Sequence, residues 1–202
     1  MDYDKQIAAV TRSVRGNAEQ RSVTIAQILD QEIQTVWEHI TKPELVATWF
    51  SPVTGDLHQG GRYQIQGNAS GTIEACNALE HFRLSWEMGD DVSWVDVRLS
   101  ANNTGDATTR IELTHEQQLN DHWRKYGAGA GGVGWDMSLA GLVMRLSGVQ
   151  IPAPDVWFAA DSTKNFLKKC SLEWETAAIE GGEDAEAAKK AAAETTAFYV
   201  PG

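Results

Sequence analysis

The sequence predicts an α+β fold in which a curved antiparallel sheet of about six or seven strands wraps around one long C-terminal helix. Two observations lead to this prediction. Between residues 62 and 115, short segments alternate apolar and polar residues and are joined by turn-forming residues, which is typical of antiparallel strands with one buried face. Residues 135–146 are apolar at nearly every helical position, which predicts a helix that is covered on most sides.

Composition narrows the class of protein. The chain has 202 residues, of which 42% are hydrophobic, enough for one domain with a sizeable core. Its 28 acidic residues outnumber 17 Lys and Arg, for a net charge of −11, and no basic run interrupts this pattern, so nucleic acid is not an expected partner. The N-terminus does not read as a signal peptide, and the longest apolar segment is too short to span a bilayer. We therefore expect a cytoplasmic protein with no membrane partner.

The first third of the chain predicts a strand and two short helices. Residues 1–20 are mostly polar and show no clear periodicity, which indicates a mobile N-terminal segment or a loosely docked helix. Residues 22–29 are rich in β-formers and predict the first strand. Asp30 is expected to start a helix with one apolar face over residues 33–40. Thr41 and Glu44 then have the spacing of a capping box that would start a second helix.

Strand parity predicts which side chains face the core, because successive residues of a strand point to opposite faces. Glu87 and Asp96 fall on the opposite face and are expected to be solvated, and residues 102–106 predict a turn. The residues that parity places on the buried face are Tyr63, Ile65, Ile73, Ala75, Phe82, Leu84, Trp86, Met88, Val95, Val97, Leu99, Ile111, Leu113 and His115.

The glycine-rich run at residues 127–134 precedes the long helix. Residues 127–132 match the pattern G-x-G-x-x-G, but no parallel strand leads into them, so a nucleotide site is not indicated. We predict a flexible loop here. Cys76 and Cys170 have no metal-like spacing and are expected to be buried, reduced thiols.

Residues 151–202 predict a helical C-terminal extension to a domain that spans residues 1–150. Asp161 or Ser162 is expected to cap one helix, and an alanine-rich helix follows from about residue 184 to 199. The first helix has an apolar stripe, and Trp94 lies on the outer face of the predicted sheet. We expect these two apolar surfaces to cover each other, or to cover their copies in a homodimer. The stripe consists of Phe166, Leu167, Cys170 and Trp174.

The order of elements, together with several short motifs, resembles the helix-grip fold of the SRPBCC (START-like) superfamily. Over residues 20–147 the sequence looks most like the branch named after the activator of the heat-shock-protein-90 ATPase. The co-chaperone's separate N-terminal chaperone-binding domain is not found in this sequence, so we do not transfer its activity. The motifs that carry the likeness are Val36-Trp37, Thr41-x-Pro43-Glu44, Trp49-Phe50-Ser51-Pro52, Gly60-Gly61-Arg62-Tyr63, Gly71-Thr72-Ile73, Trp86-Glu87 and Leu113-Thr114-His115.

The resemblance implies a cavity between sheet and long helix, which binds apolar or aromatic small molecules in many relatives and supports chemistry in some. The sequence shows no metal-ligand spacing and no nucleophile motif, and no cofactor is expected. His115 is expected to be either a polar anchor or general base in the cavity, or a structural histidine bonded to a backbone carbonyl. The residues expected to bind ligand are Trp49, Phe50, Tyr63, Ile65, Trp86, His115, Trp135 and Leu139.

Three functions are compatible with these features. The favoured one is binding of a small hydrophobic or aromatic ligand. The alternatives are an enzyme of the cyclase or hydro-lyase type that uses a general acid or base in the cavity, and a regulatory module that binds a protein partner. A group of ionisable side chains in the cavity would favour the enzyme, and an apolar cavity with one or two polar anchors would favour the binding protein.

Overall fold

The computed structural model describes residues 1–17, 19–102 and 107–201, so the predicted turn beyond Asn102 lies outside the described residues. In chain order the elements are α1 (Tyr3–Ala9), β1 (Thr11–Gly16), β2 (Gln20–Leu29), α2 (Ile33–Thr41), α3 (Pro43–Val46), β3 (Val53–Gly55), β4 (Arg62–Ile65), β5 (Ser70–Asn77), β6 (His81–Met88), β7 (Asp91–Asn102), β8 (Thr108–Gln118), α4 (Asp121–Tyr126), α5 (Gly129–Leu146), α6 (Pro154–Ala159), α7 (Asp161–Glu180) and α8 (Ala185–Tyr199).

The strands form one antiparallel sheet, which confirms the predicted fold class. Within the described residues the sheet has eight strands in the order β1-β2-β8-β7-β6-β5-β4-β3. The number exceeds the prediction because β1 and the short β3 extend the two edges. Helix α5 lies against the inner face, where it packs on β2, and Val95 and Val97 are buried on the same face as parity predicts. Among the described residues, no helix is both long enough and apolar enough to cross a membrane.

Of the two alternatives expected for the N-terminal segment, a docked helix is present as α1, and the mobile segment is not; strand β1 was not predicted. Strand β1 pairs along its whole length with β2, so the backbone groups on that side are hydrogen-bonded, and Val14 is buried. Helix α1 docks on α7, where the ring of Tyr3 stacks on Phe166 with centroids 4.7 Å apart. The alternation that would predict a strand was weak here, because β1 is short and has only one buried apolar residue.

The expected helix starts differ from the structure in three places. Helix α2 begins after Glu32, and Asp30 does not cap it. Thr41 closes α2 instead of opening α3, because its hydroxyl donates to the carbonyl of Trp37, and the predicted capping box is therefore wrong. Helix α7 follows Ala160 and has no side-chain cap.

The glycine-rich run is helical, which corrects the predicted loop. Only Gly127, at the end of α4, has positive φ within the run, and α5 is continuous from Gly129. A Cβ at Gly132 would overlap the indole ring of Trp174 and lie 2.6 Å from its Nε1. Gly132 therefore allows α7 to approach α5 at the distance that Trp174 requires.

The C-terminal helices cover the side of the core formed by β1 and α5. Helix α7 packs against both elements, and its predicted apolar stripe, including Phe166 and Trp174, is buried within the chain. The apolar stripe of α7 does not cover Trp94, contrary to one of the expectations. Trp94 stays half-buried on the outer face of the sheet, where its indole N–H donates to Glu74 over 3.0 Å.

The outer face of the sheet also contains the two carboxylates that parity placed there. Both are paired instead of simply solvated. Glu87 accepts from Arg62 at 2.6 Å, and Asp96 contacts His81 at 2.8 Å. Met88, expected on the inner face, is exposed next to the β6–β7 turn.

A buried ion pair joins the N-terminal strand to α5 and α7. Nη2 of Arg12 lies 2.6 Å from Oδ1 of Asp136, and both side chains are almost fully buried. The other carboxylate oxygen accepts from the indole N–H of Trp174 at 2.8 Å. Arg12 also donates to the carbonyls of Ile7 and Val10. This cluster ties together segments that are 124 residues apart in the chain.

Candidate functional site

A cavity of about 200 Å³ lies between the inner face of the sheet, α5 and the α2–α3 segment. Seven of the eight residues predicted to bind ligand line it, and His115 does not. The seven are Trp49, Phe50, Tyr63, Ile65, Trp86, Trp135 and Leu139.

Aromatic rings form much of the cavity wall. Trp86, on β6, meets Trp135, on α5, edge to face with centroids 5.3 Å apart. At the α3 end, the rings of Trp49 and Phe50 lie 5.6 Å apart. Gly141 allows this end of the wall to approach α5, because a Cβ there would come within 2.8 Å of the carbonyl oxygen of Trp49. The predicted contact between sheet and long helix is thus built from large, rigid rings.

Protein groups already use most of the polar hydrogens in the lining. Tyr63 donates its phenolic hydrogen to the carbonyl of Ser85 over 2.8 Å, and burial raises the pKa of this phenol. Thr41 and Ser138 donate to carbonyls one helical turn earlier, on α2 and α5 respectively. The indole of Trp49 donates to the carbonyl of His39. The lining therefore presents mainly carbon atoms to the cavity.

His115 is buried on the inner face of the sheet, as parity predicts, but it packs behind Trp135 of α5 and does not line the cavity, so the expectation that it faces the cavity is corrected. Its Nδ1 accepts from the indole N–H of Trp135 over 3.1 Å, so the proton of the neutral ring is on Nε2. Nε2 then donates to the hydroxyl of Ser93 over 2.8 Å, and Ser93 donates to the carbonyl of Trp86. Both ring nitrogens are occupied by protein side chains, and neither bond is to a backbone carbonyl.

Burial lowers the pKa of His115 to about 4. An unfolded histidine titrates near 6.5, so between these values the unfolded chain binds a proton that the native protein does not. The contribution of neutral His115 to stability is complete above pH ~6.5 and is lost as the pH falls towards 4.

We expect the wild type to lose about 3 kcal/mol of unfolding free energy between pH 7 and pH 4 through this group. His115→Gln does not titrate and should lack this component. Denaturant unfolding of both proteins across the pH range measures the difference. Parallel pH profiles for the two proteins would contradict the assigned protonation state.

The sequence did not identify Cys76 as a cavity residue. A β-bulge between Ile73 and Ala75 shifts the register, so Cys76 is paired with the inward-facing Phe82. Cys76 consequently lines the cavity in place of Ala75, and it is exposed instead of buried. Cys170 is buried, as expected. A bulge has no clear signature in a single sequence, so parity could not reveal this position.

Other residues that line the cavity could have been predicted from the sequence. Ile111 and Val97 sit on the predicted inner face, and Leu142 lies one turn after Leu139 on α5. In the part of the chain that the structure describes, no group of three or more His, Cys, Asp or Glu side chains is arranged to hold a metal ion.

An antiparallel sheet that wraps around a long helix and encloses an apolar cavity defines a helix-grip protein of the SRPBCC (START-like) superfamily. The family described as "Activator of Hsp90 ATPase homolog 1-like protein" matches residues 30–147, more than half of the chain. The chain belongs to this family.

Two solved structures with the same fold align with a larger part of this chain than the family does. The crystal structure of CalU16 from Micromonospora echinospora is 29% identical, with 84% of this chain and 98% of CalU16 covered and a TM-score of 0.68. Its solution structure covers 86% and 97% of the two chains, at 29% identity, with a TM-score of 0.70. PFC0360w, an HSP90 activator from Plasmodium falciparum, is 17% identical and covers 63% of this chain and 96% of its own, with a TM-score of 0.53. A comparison with curated protein sequences gives no match.

Proposed function

We propose that this protein binds a small hydrophobic or aromatic ligand in the cavity between the sheet and α5. The observation that carries the proposal is the combination of a preformed space of about 200 Å³ with a lining of aromatic and aliphatic side chains. Transfer of an apolar ligand from water into such a space is favourable by roughly 25 cal/mol for each Å² buried.

The lining favours binding over acid–base catalysis. Among the described residues, the ionisable side chains that line the cavity are Tyr63 and Cys76. The pKa of Tyr63 is raised by burial, and its hydrogen is held by Ser85, so it is a poor proton donor or base near neutral pH. His115, the other candidate base, is engaged on both nitrogens behind Trp135. These features support a binding protein and argue against a cyclase or hydro-lyase.

A co-chaperone role does not enter this proposal. The chain is 17% identical to the P. falciparum HSP90 activator, and a likeness at that level is evidence for a shared fold but not for a shared activity.

The test is a fluorescence titration with N-phenyl-1-naphthylamine, an apolar dye whose emission rises in a nonpolar environment. We expect saturable binding by the wild type. Val97→Phe should weaken binding about tenfold or more, because the larger side chain would occupy part of the cavity that Val97 lines. Since the added ring enters existing space, the melting temperature should not fall.

Val92→Phe is the matched control for this variant. It is the same substitution on the same strand, but Val92 is 45% exposed and lies outside the cavity lining. Its dye affinity should equal that of the wild type. Equal affinity for wild type and Val97→Phe, with both proteins folded, would contradict binding in this cavity.

A further inference from the structure

The three tryptophans that line the cavity differ in what their indole N–H groups contact. Trp49 donates to the carbonyl of His39 over 2.9 Å, and Trp135 donates to His115 over 3.1 Å. The N–H of Trp86 makes no hydrogen bond within the described part of the chain, although Trp86 is only 8% exposed. A buried indole N–H is normally paired, so this donor is available to an acceptor on a bound molecule.

Open space lies beside this N–H. The N–H is not fully enclosed by protein, because among the described residues Thr108 Oγ1 is the fully buried side-chain N or O atom that lacks a partner. The space that Trp86 borders is the cavity. The edge-to-face contact with Trp135 holds the ring of Trp86 in one orientation. The direction of its N–H is therefore set before a ligand binds.

The charge of the lining selects the kind of acceptor. No Lys, Arg or His side chain lines the cavity within the described residues. An anionic acceptor would therefore lose its hydration without gaining a counter-charge, which is costly in an apolar site. A neutral carbonyl oxygen on an otherwise apolar ligand loses much less hydration free energy than an anion does. It would also accept the hydrogen bond of the indole N–H.

We propose that Trp86 determines specificity by donating a hydrogen bond from Nε1 to a neutral carbonyl-type acceptor on the ligand. The inference rests on the proposed function, because it assigns the chemical class of the ligand in that same cavity. The predicted ligand class is an aromatic or aliphatic compound of low polarity with one neutral hydrogen-bond acceptor.

A pair of ligands with matched shape tests the inference. 2-Acetylnaphthalene carries a carbonyl where 2-isopropenylnaphthalene carries a C=CH₂ group. The ratio of their dissociation constants is measured by dye displacement for the wild type and for Trp86→Phe, which keeps an aromatic ring but lacks the N–H. We expect the preference for the ketone to fall about fivefold in Trp86→Phe, the effect of one net hydrogen bond.

Trp37→Phe is the control for loss of a tryptophan. Trp37 is half-buried against Phe82 but lies outside the cavity lining, so its variant should keep the wild-type ratio. A second measurement needs no variant. In the ¹⁵N-labelled wild type, the assigned indole resonance of Trp86 should move downfield with the ketone and much less with the alkene.

The outcomes separate the two claims. Binding of both ligands with the same ratio in wild type and Trp86→Phe would overturn the role of Trp86 and leave the cavity proposal standing. An unchanged Trp86 indole resonance with bound ketone would overturn it as well. Failure of both ligands to bind the wild type would overturn the proposed function and this inference together.

Discussion

Replacing Asp136 by Asn is expected to lower the free energy of unfolding by about 3–5 kcal/mol, which corresponds to a fall in melting temperature of about 10 °C or more. The substitution keeps the size of the side chain but removes its charge. Arg12 would then remain charged in a site where its side chain is only 4% exposed. Breaking one half of a buried pair is costly because the remaining charge has lost its hydration and its close partner. The other carboxylate near Arg12 is that of Glu173, which is 4.0 Å away and half exposed, so it compensates only weakly.

Two controls separate this effect from general damage. Asp121→Asn removes a carboxylate that also contacts an arginine, Arg124, at 2.7 Å, but the side chain of Asp121 is 99% exposed, so the change should cost less than about 1 kcal/mol. The double variant Arg12→Met, Asp136→Leu removes both charges and should be more stable than Asp136→Asn. Thermal unfolding followed by circular dichroism gives all three values. Equal losses for Asp136→Asn and Asp121→Asn would contradict the role of the buried pair.

Adding one methyl group at Gly132 is the second change with a large expected effect. We expect Gly132→Ala to destabilise the protein by about 3 kcal/mol or more, because the Cβ would overlap the Trp174 ring and force α5 and α7 apart. Trp174 is 1% exposed and its indole is bonded to Asp136, so it has little freedom to move aside.

The neighbouring glycine provides the matched control. At Gly131, in the same helix, the nearest atom to an added Cβ is Nδ1 of His115 at 3.9 Å, which is an ordinary contact. Gly131→Ala should therefore stabilise the protein by up to about 1 kcal/mol through helix propensity. Urea unfolding distinguishes the two variants. The predicted packing of α5 on α7 would be wrong if both substitutions changed stability by the same amount.

The sheet and its inner face were predictable because side-chain direction alternates strictly along a strand. Val95, Val97 and Leu99 are buried as that rule requires. The rule failed where the backbone departs from regular pairing. At the bulge after Ile73, one extra residue turned Cys76 towards the cavity.

Helix packing was harder to predict than strand parity. Glycines are poor helix formers, so the run at 127–134 indicated a loop. The close contact with Trp174 explains why a glycine is needed at position 132 inside α5. Asp136 was visible as the one acidic residue in an apolar helix. Its partner, Arg12, is 124 residues away and could not be identified from local sequence.

The candidate site was predicted in part for the same reasons. Parity and the family resemblance placed Tyr63, Ile65 and Trp86 on the cavity wall. The position of His115 behind Trp135 depends on a hydrogen bond between β8 and α5, and strand parity carries no information on such bonds. The unpaired N–H of Trp86 likewise becomes visible only when every neighbouring acceptor is known.

Methyl-resolved NMR of the isoleucine-labelled wild type with N-phenyl-1-naphthylamine tests the central claim most directly, because it reports where an apolar ligand binds. Ile25, Ile65, Ile73 and Ile111 line the cavity, whereas Ile28 and Ile179 are exposed elsewhere. We predict saturable shifts of the cavity methyl groups and unchanged resonances for the two exposed ones. Shifts confined to Ile28 and Ile179, or no saturable shift at all, would contradict ligand binding between the sheet and α5.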